Sequence, residues 1–259
     1  MRSVLLALLV ILPSGGAMAA AAGADFVQFA FQPHPGAELP LSADLTNEQG
    51  RSVSLRQFFT VKPVVLVLEY LRCKTLCGLT LKNLAETLDR LPLDAGREFD
   101  VVVISIDPRD AGPDLAAAKA KYLASYHHPR GDAGWHFLTG AEPVVRRIAD
   151  AVGFPYRYEP ELEQYIHPAG FAIAAPDGTV SGYVLGVGVQ PAELEKTLAE
   201  AGQGKTVGLF TRLLLVCHGD SQRLGRYSLA IEAALIVANL GAMIGGAFVF
   251  ATIWRRRHG

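Results

Sequence analysis

Residues 63–70, PVVLVLEY, form a nearly unbroken run of β-branched and aliphatic side chains, and residues 99–106, FDVVVISI, form a second. A strand with one wet face alternates apolar and polar residues, whereas a continuous run belongs to a strand covered on both faces. Two such strands with a helical pattern between them restrict the chain to a layered α/β fold, its sheet sandwiched by helices.

The remaining periodicities fill in that frame. Residues 25–40 carry Pro and Gly with little periodicity and read as a lead-in arm, and residues 45–55 read as a hairpin around Asn47-Glu48-Gln49-Gly50. Residues 75–91 show helical apolar spacing at Leu76, Leu79, Leu84 and Leu88, ended by Pro92. An Ala-rich helix is predicted over 114–126, begun near Pro113 and capped by Asp114 or Gly112. A short strand at 135–138 precedes a helix at 142–152 with Pro143 in its first turn. Residues 156–166 read as extended with a turn at Glu159-Pro160. A strand at 171–175 then turns at Pro176-Asp177-Gly178 into its partner at 179–185, and a helix at 191–201 closes the order. A β-α-β half, a linking helix, then a β-hairpin and a helix is the thioredoxin-like arrangement.

Both ends of the chain carry membrane signals. Residues 1–20 combine Arg2, a short apolar core and Ala17-Met18-Ala19, the pattern of a secretory signal peptide. Residues 229–254 form the predicted transmembrane helix, apolar from 233 onward except for Asn239 and Thr252, with a small-residue pair at Gly241 and Gly245. The basic tail, 255–259, follows at once and places the C-terminus in the cytoplasm by the positive-inside rule. Between these segments lie a domain at 24–202 and a juxtamembrane link at 203–228. A domain of about 200 residues is large enough for a proper core. The link carries Cys217-His218, read either as a packed thiol or as a second metal-handling spot. A net charge of −1 gives no sign of nucleic-acid binding. Three cysteines are too few for a disulfide-built scaffold, so a closely spaced pair in an exported domain is a working pair.

That pair is Cys73-Lys74-Thr75-Leu76-Cys77, directly after the first buried strand. Residues four apart share one side of a helical turn. A helix start is electropositive and stabilises a thiolate, and Arg72 and Lys74 add positive charge in the same direction. Two chemistries fit: a soft site for Cu(I) or Cu(II), made with an imidazole from elsewhere, or a disulfide couple. The candidate imidazole is His167, in a loop that a thioredoxin-like fold brings opposite the cysteine-bearing helix. His34, His127, His128 and His136 read as hydrogen-bonded turn or surface residues. Asp107-Pro108-Arg109-Asp110 ends the second buried strand and reads as a turn and helix start, or as a charged rim near the cysteines.

With these residues in place the chain resembles the Sco/SenC family, membrane-tethered copper proteins serving cytochrome c oxidase assembly. The likeness runs from Gly50 to Gly202. It includes Leu68 to Cys77, Ser105-Ile106-Asp107-Pro108, Trp135-His136-Phe137-Leu138-Thr139-Gly140, and the His167 loop leading into Pro176-Asp177-Gly178. It also looks similar to a bacterial subgroup with a C-terminal anchor. The resemblance implies a thioredoxin-like fold holding copper through Cys73, Cys77 and His167. It implies a globular domain in the periplasm, anchored in the inner membrane, with the copper-site subunit of cytochrome c oxidase as partner. Other periplasmic thiol or copper carriers are further partners on this reading. The family usually has proline after each cysteine or after the first, and a polar threonine two before the first; here Lys74, Gly78 and Leu71 stand in those places.

The leading expectation is thus a copper-binding assembly factor rather than an enzyme in the turnover sense. The rival is an exported thiol–disulfide reductase acting through Cys73 and Cys77 without obligatory metal, with His167 tuning the thiolate. A third reading is a peroxidase-like thiol protein.

Overall fold

The computed structural model describes residues 29–72, 77–129 and 131–206, together with Gly245 and Trp254, Cys77 by its helical backbone alone. All the secondary structure discussed below lies in the compact unit Met1–Val216. The predicted signal peptide, most of the juxtamembrane link and the predicted transmembrane helix, apart from Gly245 and Trp254, fall outside the described residues. Among the described residues no helix is long and apolar enough to cross a membrane.

The two apolar runs become β3 (Val64–Glu69) and β4 (Asp100–Ser105), each buried along its whole length. They pair in parallel, Val64 opposite Asp100 through Glu69 opposite Ser105. A parallel pair needs a long crossover, supplied here by α1 (Cys77–Leu88). The early hairpin is β1 (Asp44–Asn47) and β2 (Ser52–Ser54). After β4 come α2 (Gly112–Leu123), the short α3 (Gly131–Gly134), β5 (Trp135–Thr139) and α4 (Glu142–Val152). A small separate hairpin, β6 (Arg157–Glu159) with β7 (Gln164–Ile166), leads to β8 (Gly170–Ala174), β9 (Val180–Leu185) and α5 (Pro191–Gly202). The seven-stranded sheet runs β2-β1-β5-β4-β3-β8-β9. This is the α/β thioredoxin-like arrangement expected from the order of elements.

Because side chains alternate along a strand, β3 and β4 feed two cores. Leu66, Leu68, Val102 and Ile104 meet Val145 and Ile148 of α4 on one face. Val65, Val67, Val101 and Val103 share the other face with Leu84 of α1 and Leu198 of α5. Leu84 is wholly buried, so Leu84→Ala would cost roughly 2–5 kcal/mol through lost transfer energy and a cavity.

Two helix ends differ from or refine the sequence reading. α2 starts two residues earlier than predicted, and Asp114 is not the cap itself. Its carboxylate accepts the N–H of Ala111 at 2.9 Å, the residue before the helix. Beyond Leu123 the chain tightens into three-residue bonds, Ser125 N–H to the Tyr122 carbonyl (3.1 Å) and Tyr126 N–H to that of Leu123 (3.0 Å). α4 ends as predicted, at Gly153 with φ +69°. There the Phe154 N–H returns to the Ala149 carbonyl at 2.8 Å, and Gln32 N–H donates to the Gly153 carbonyl at 2.8 Å. A Cβ at Gly153 would overlap the Gln32 carbonyl, so only glycine fits. This turn sets Phe154 beneath the loop between β7 and β8.

Candidate metal centre

His167 stands in that loop. Its side chain is 7% exposed, and its ring stacks on Phe154 with centroids 5.5 Å apart. Nδ1 lies 2.9 Å from the Pro168 carbonyl, which can only accept, so Nδ1 carries the proton and Nε2 keeps its lone pair. Nε2 is buried and has no hydrogen-bond partner among the described residues. Burial depresses the imidazole's pKa, against the smaller upward pull of the Pro168 carbonyl, and the ring is neutral at pH 7. A buried neutral histidine, with one nitrogen fixed by a carbonyl and the other bare, is the form in which imidazole binds a metal.

The atom facing that nitrogen is Oε1 of Glu69, 3.8 Å away. Glu69 ends β3, is 2% exposed, and takes a 3.3 Å hydrogen bond from the N–H of Tyr70. Burial pushes its pKa well above the carboxylate range, with the Tyr70 N–H and the charge of Lys121 pulling less strongly downward. The sequence reading passed over this residue. Its signal was present: one carboxylate in an otherwise apolar run that burial on both faces should have kept apolar.

The cysteine segment starts four residues after Glu69. Residues 73–76 lie outside the described residues, and Cys77 is the first residue of α1. The structure thus brings His167 to the strand end that leads into Cys73, while the thiol positions themselves are not described. Next to Cys77, a Cβ at Gly78 would stand 2.9 Å from Tyr122 Oη and 3.6 Å from Lys121 Nζ.

The Asp107–Asp110 loop is both a turn and a rim of this region. Arg109 grips Asp107 with two bonds of 2.8 Å and lies over the Tyr158 ring at 5.1 Å. Burial alone would raise Asp107, but the Arg109 bonds hold its carboxyl below the usual range. Arg72, the residue before Cys73, is tied to the same loop. Its Nη2 donates to the Arg109 carbonyl at 2.8 Å and its Nε reaches Asp110. His34, His127 and His128 are hydrogen-bonded as the sequence suggested, to Asp150, Asp89 and Asp94. Among the described residues no three His, Cys, Asp or Glu side chains gather as a metal site.

Comparison with known proteins gives the family and the fold. A sequence model of the SCO1/SenC family matches residues 36–202. A protein of Stutzerimonas stutzeri named for copper binding is 27% identical over 124 residues, covering 46% of this chain and 56% of its own length. The chain therefore spans little more than half of that relative. Among solved structures, an Aquifex aeolicus VF5 protein described as an electron transfer protein superposes with a TM-score of 0.59 at 22% identity, over 66% of this chain and 96% of its own. BsSco, a member of the Sco family of cytochrome c oxidase assembly proteins with a disulfide switch, gives 0.53 at 22% identity, over 67% and 99%. Arabidopsis thaliana ScoI with copper bound gives 0.52 at 17% identity, over 66% and 99%. At these identities the solved structures establish the fold.

Proposed function

The chain belongs to the SCO1/SenC family, and we propose that it binds one copper ion through Cys73, Cys77 and His167. We further propose that it delivers the ion to, or prepares the cysteines of, the binuclear copper site of cytochrome c oxidase. The observation that carries the reading is the bare Nε2 of His167, buried, neutral and facing the end of the strand that leads into the cysteines. Two thiolates and an imidazole suit Cu(I) and Cu(II), and the donor types fit that cargo. The Stutzerimonas relative named for copper binding and the copper-bound Arabidopsis structure support the same choice.

The predicted signal peptide and residues 229–254 support a periplasmic domain held to the inner membrane by one C-terminal helix. Release to a partner needs no change of oxidation state: each cysteine–copper bond is replaced by a bond to a partner thiolate. Burial of His167 keeps water from competing for its nitrogen while the ion is held.

A second reading is favoured by the disulfide switch in BsSco. In it Cys73 or Cys77 attacks a partner disulfide, the other cysteine resolves the mixed disulfide, and the pair ends oxidised as the partner gains two thiols. Titration of the reduced full chain with copper separates the two. The copper reading expects one tightly held equivalent, with a thiolate-to-Cu(II) absorption band lost in Cys73→Ser and weakened in His167→Ala. A chain that takes up no stoichiometric copper but exchanges disulfides freely, with His167→Ala little affected, would be a reductase.

A further inference from the structure

We infer that the carboxylate of Glu69 is a fourth, oxygen donor of the copper site and that it selects the oxidised ion. The inference rests on the reading of Cys73, Cys77 and His167 as ligands. An ionised carboxylate at the end of a fully buried strand is costly to keep unless it is paired or bound to a metal; without either it takes up a proton, which a bound metal ion would displace. Among the described residues the only hydrogen bond to its oxygens is the 3.3 Å one from the N–H of Tyr70. The buried Nε2 of His167, without a hydrogen-bond partner among the described residues, lies 3.8 Å from Oε1 of Glu69, too far for a hydrogen bond.

That gap has a specific size. Imidazole and carboxylate bind an ion such as zinc at roughly 2.0–2.2 Å, so two donors on one first-row ion stand about 3–4 Å apart. The His167 and Glu69 atoms are therefore separated as co-ligands are, and both are sheltered from water. Lys121 and Tyr122, which flank Gly78 of α1, share the electrostatic surroundings of Glu69: the Lys121 charge pulls the Glu69 carboxyl down, and the Tyr122 phenol is pushed up by burial and then by Glu69.

The electrostatics separate the two oxidation states. Two thiolates balance Cu(II), and a carboxylate brings the cluster to one net negative charge. With Cu(I) the same ligands leave two negative charges in a buried site. An oxygen donor is also harder than sulfur and suits the higher charge. Glu69 accordingly lowers the affinity for Cu(I) relative to Cu(II).

The test uses the full chain, reduced, titrated separately with Cu(II) and with Cu(I) against a competing chelator. Glu69→Gln is expected to weaken Cu(II) by about 10-fold or more, as loss of a supporting group at a metal site does. It should shift the Cu(II) electron paramagnetic resonance spectrum and leave Cu(I) affinity nearly unchanged, while Glu69→Asp restores part of the loss. A wild-type measurement guards against a variant that fails to fold. With glutamate 13C-labelled at Cδ, pulsed resonance on the Cu(II)-loaded chain should show a strong carbon coupling from a single carboxylate. Absence of that coupling, or equal loss of both ions in Glu69→Gln with an unchanged spectrum, overturns the inference while copper binding through the other three residues stands. A wild-type chain that takes up neither ion removes the copper reading and this inference together.

Discussion

Arg72 Nε stands 2.6 Å from Asp110 Oδ1, so the residue directly before Cys73 is tied to the loop after β4. The same guanidinium donates to the Arg109 carbonyl at 2.8 Å and reaches Asp114 at 3.3 Å. Asp110 is 3% exposed, and burial raises its pKa despite the bonds from Ser105 and Arg72. The positive charge of the residue before Cys73 is therefore matched by two carboxylates. Arg72→Ala strands a buried acceptor and should cost about 1–3 kcal/mol in urea unfolding. Arg72→Lys should recover only part of it, since one ammonium cannot reproduce the fork that spans three acceptors. Full recovery by lysine would show that the pair matters only as charge.

Gly78 and Tyr122 should be coupled. A methyl at position 78 would lie 2.9 Å from Tyr122 Oη, and that ring is buried, stacked near Phe137 with centroids 6.3 Å apart. Gly→Ala in a helix normally gains about 0.5–1 kcal/mol. Gly78→Ala should instead be neutral or destabilising in the wild-type background and stabilising in Tyr122→Phe. A double-mutant cycle should return a coupling of about 1 kcal/mol, and a cycle that closes additively would mean the ring moves aside at no cost.

The strands were legible because burial on both faces leaves no alternation to misread, and the pairing of β3 with β4 followed from the helix between them. The partner of Glu69 was not legible. His167 reaches it because β8 lies antiparallel on β3, with Leu66 opposite Ala172, which carries the loop before β8 to the end of β3. Sheet order of this kind depends on long-range packing, and local periodicity does not encode it. The same holds for Arg72. Its sequence position suggested charge for the thiols, while its partners came from a loop after the next strand. The start of α2 was misplaced because Asp114 signals a helix start equally well from the cap or from the first turn.

His128 gives the fold a pH dependence. Its Nδ1 pairs with Asp94, and its Nε2 lies 3.1 Å from the Asp89 carbonyl. The Asp94 hydrogen bond raises the imidazole's pKa above its ordinary value, against a smaller opposing effect of burial. A group whose folded pKa is raised stabilises fully below its unfolded pKa, near 6.5, and loses that stabilisation as pH rises through the folded value. The wild-type chain should therefore be more stable than His128→Gln at pH 6 by up to about 1 kcal/mol. That gap should narrow toward pH 8. Urea midpoints of the two proteins across this range measure it, and a constant gap would assign the effect to the Tyr126 stack rather than to charge.

Phe154 should control how well His167 meets its ligand. The phenyl ring is 1% exposed, held edge-on by Phe31 at 5.4 Å and stacked with His167 at 5.5 Å. It forms the floor against which the imidazole keeps its Nδ1 on the Pro168 carbonyl. Phe154→Leu keeps most of the apolar volume, so its stability cost should be near 1–1.5 kcal/mol. The imidazole, however, loses a flat surface and gains room to rotate. Copper affinity is expected to fall by roughly 10-fold, the scale on which groups that orient metal ligands act. Disulfide exchange by Cys73 and Cys77 should stay within a few-fold of wild type, because it does not draw on His167 as a ligand. Parallel loss of both activities would indicate that Phe154 supports the cysteine segment itself.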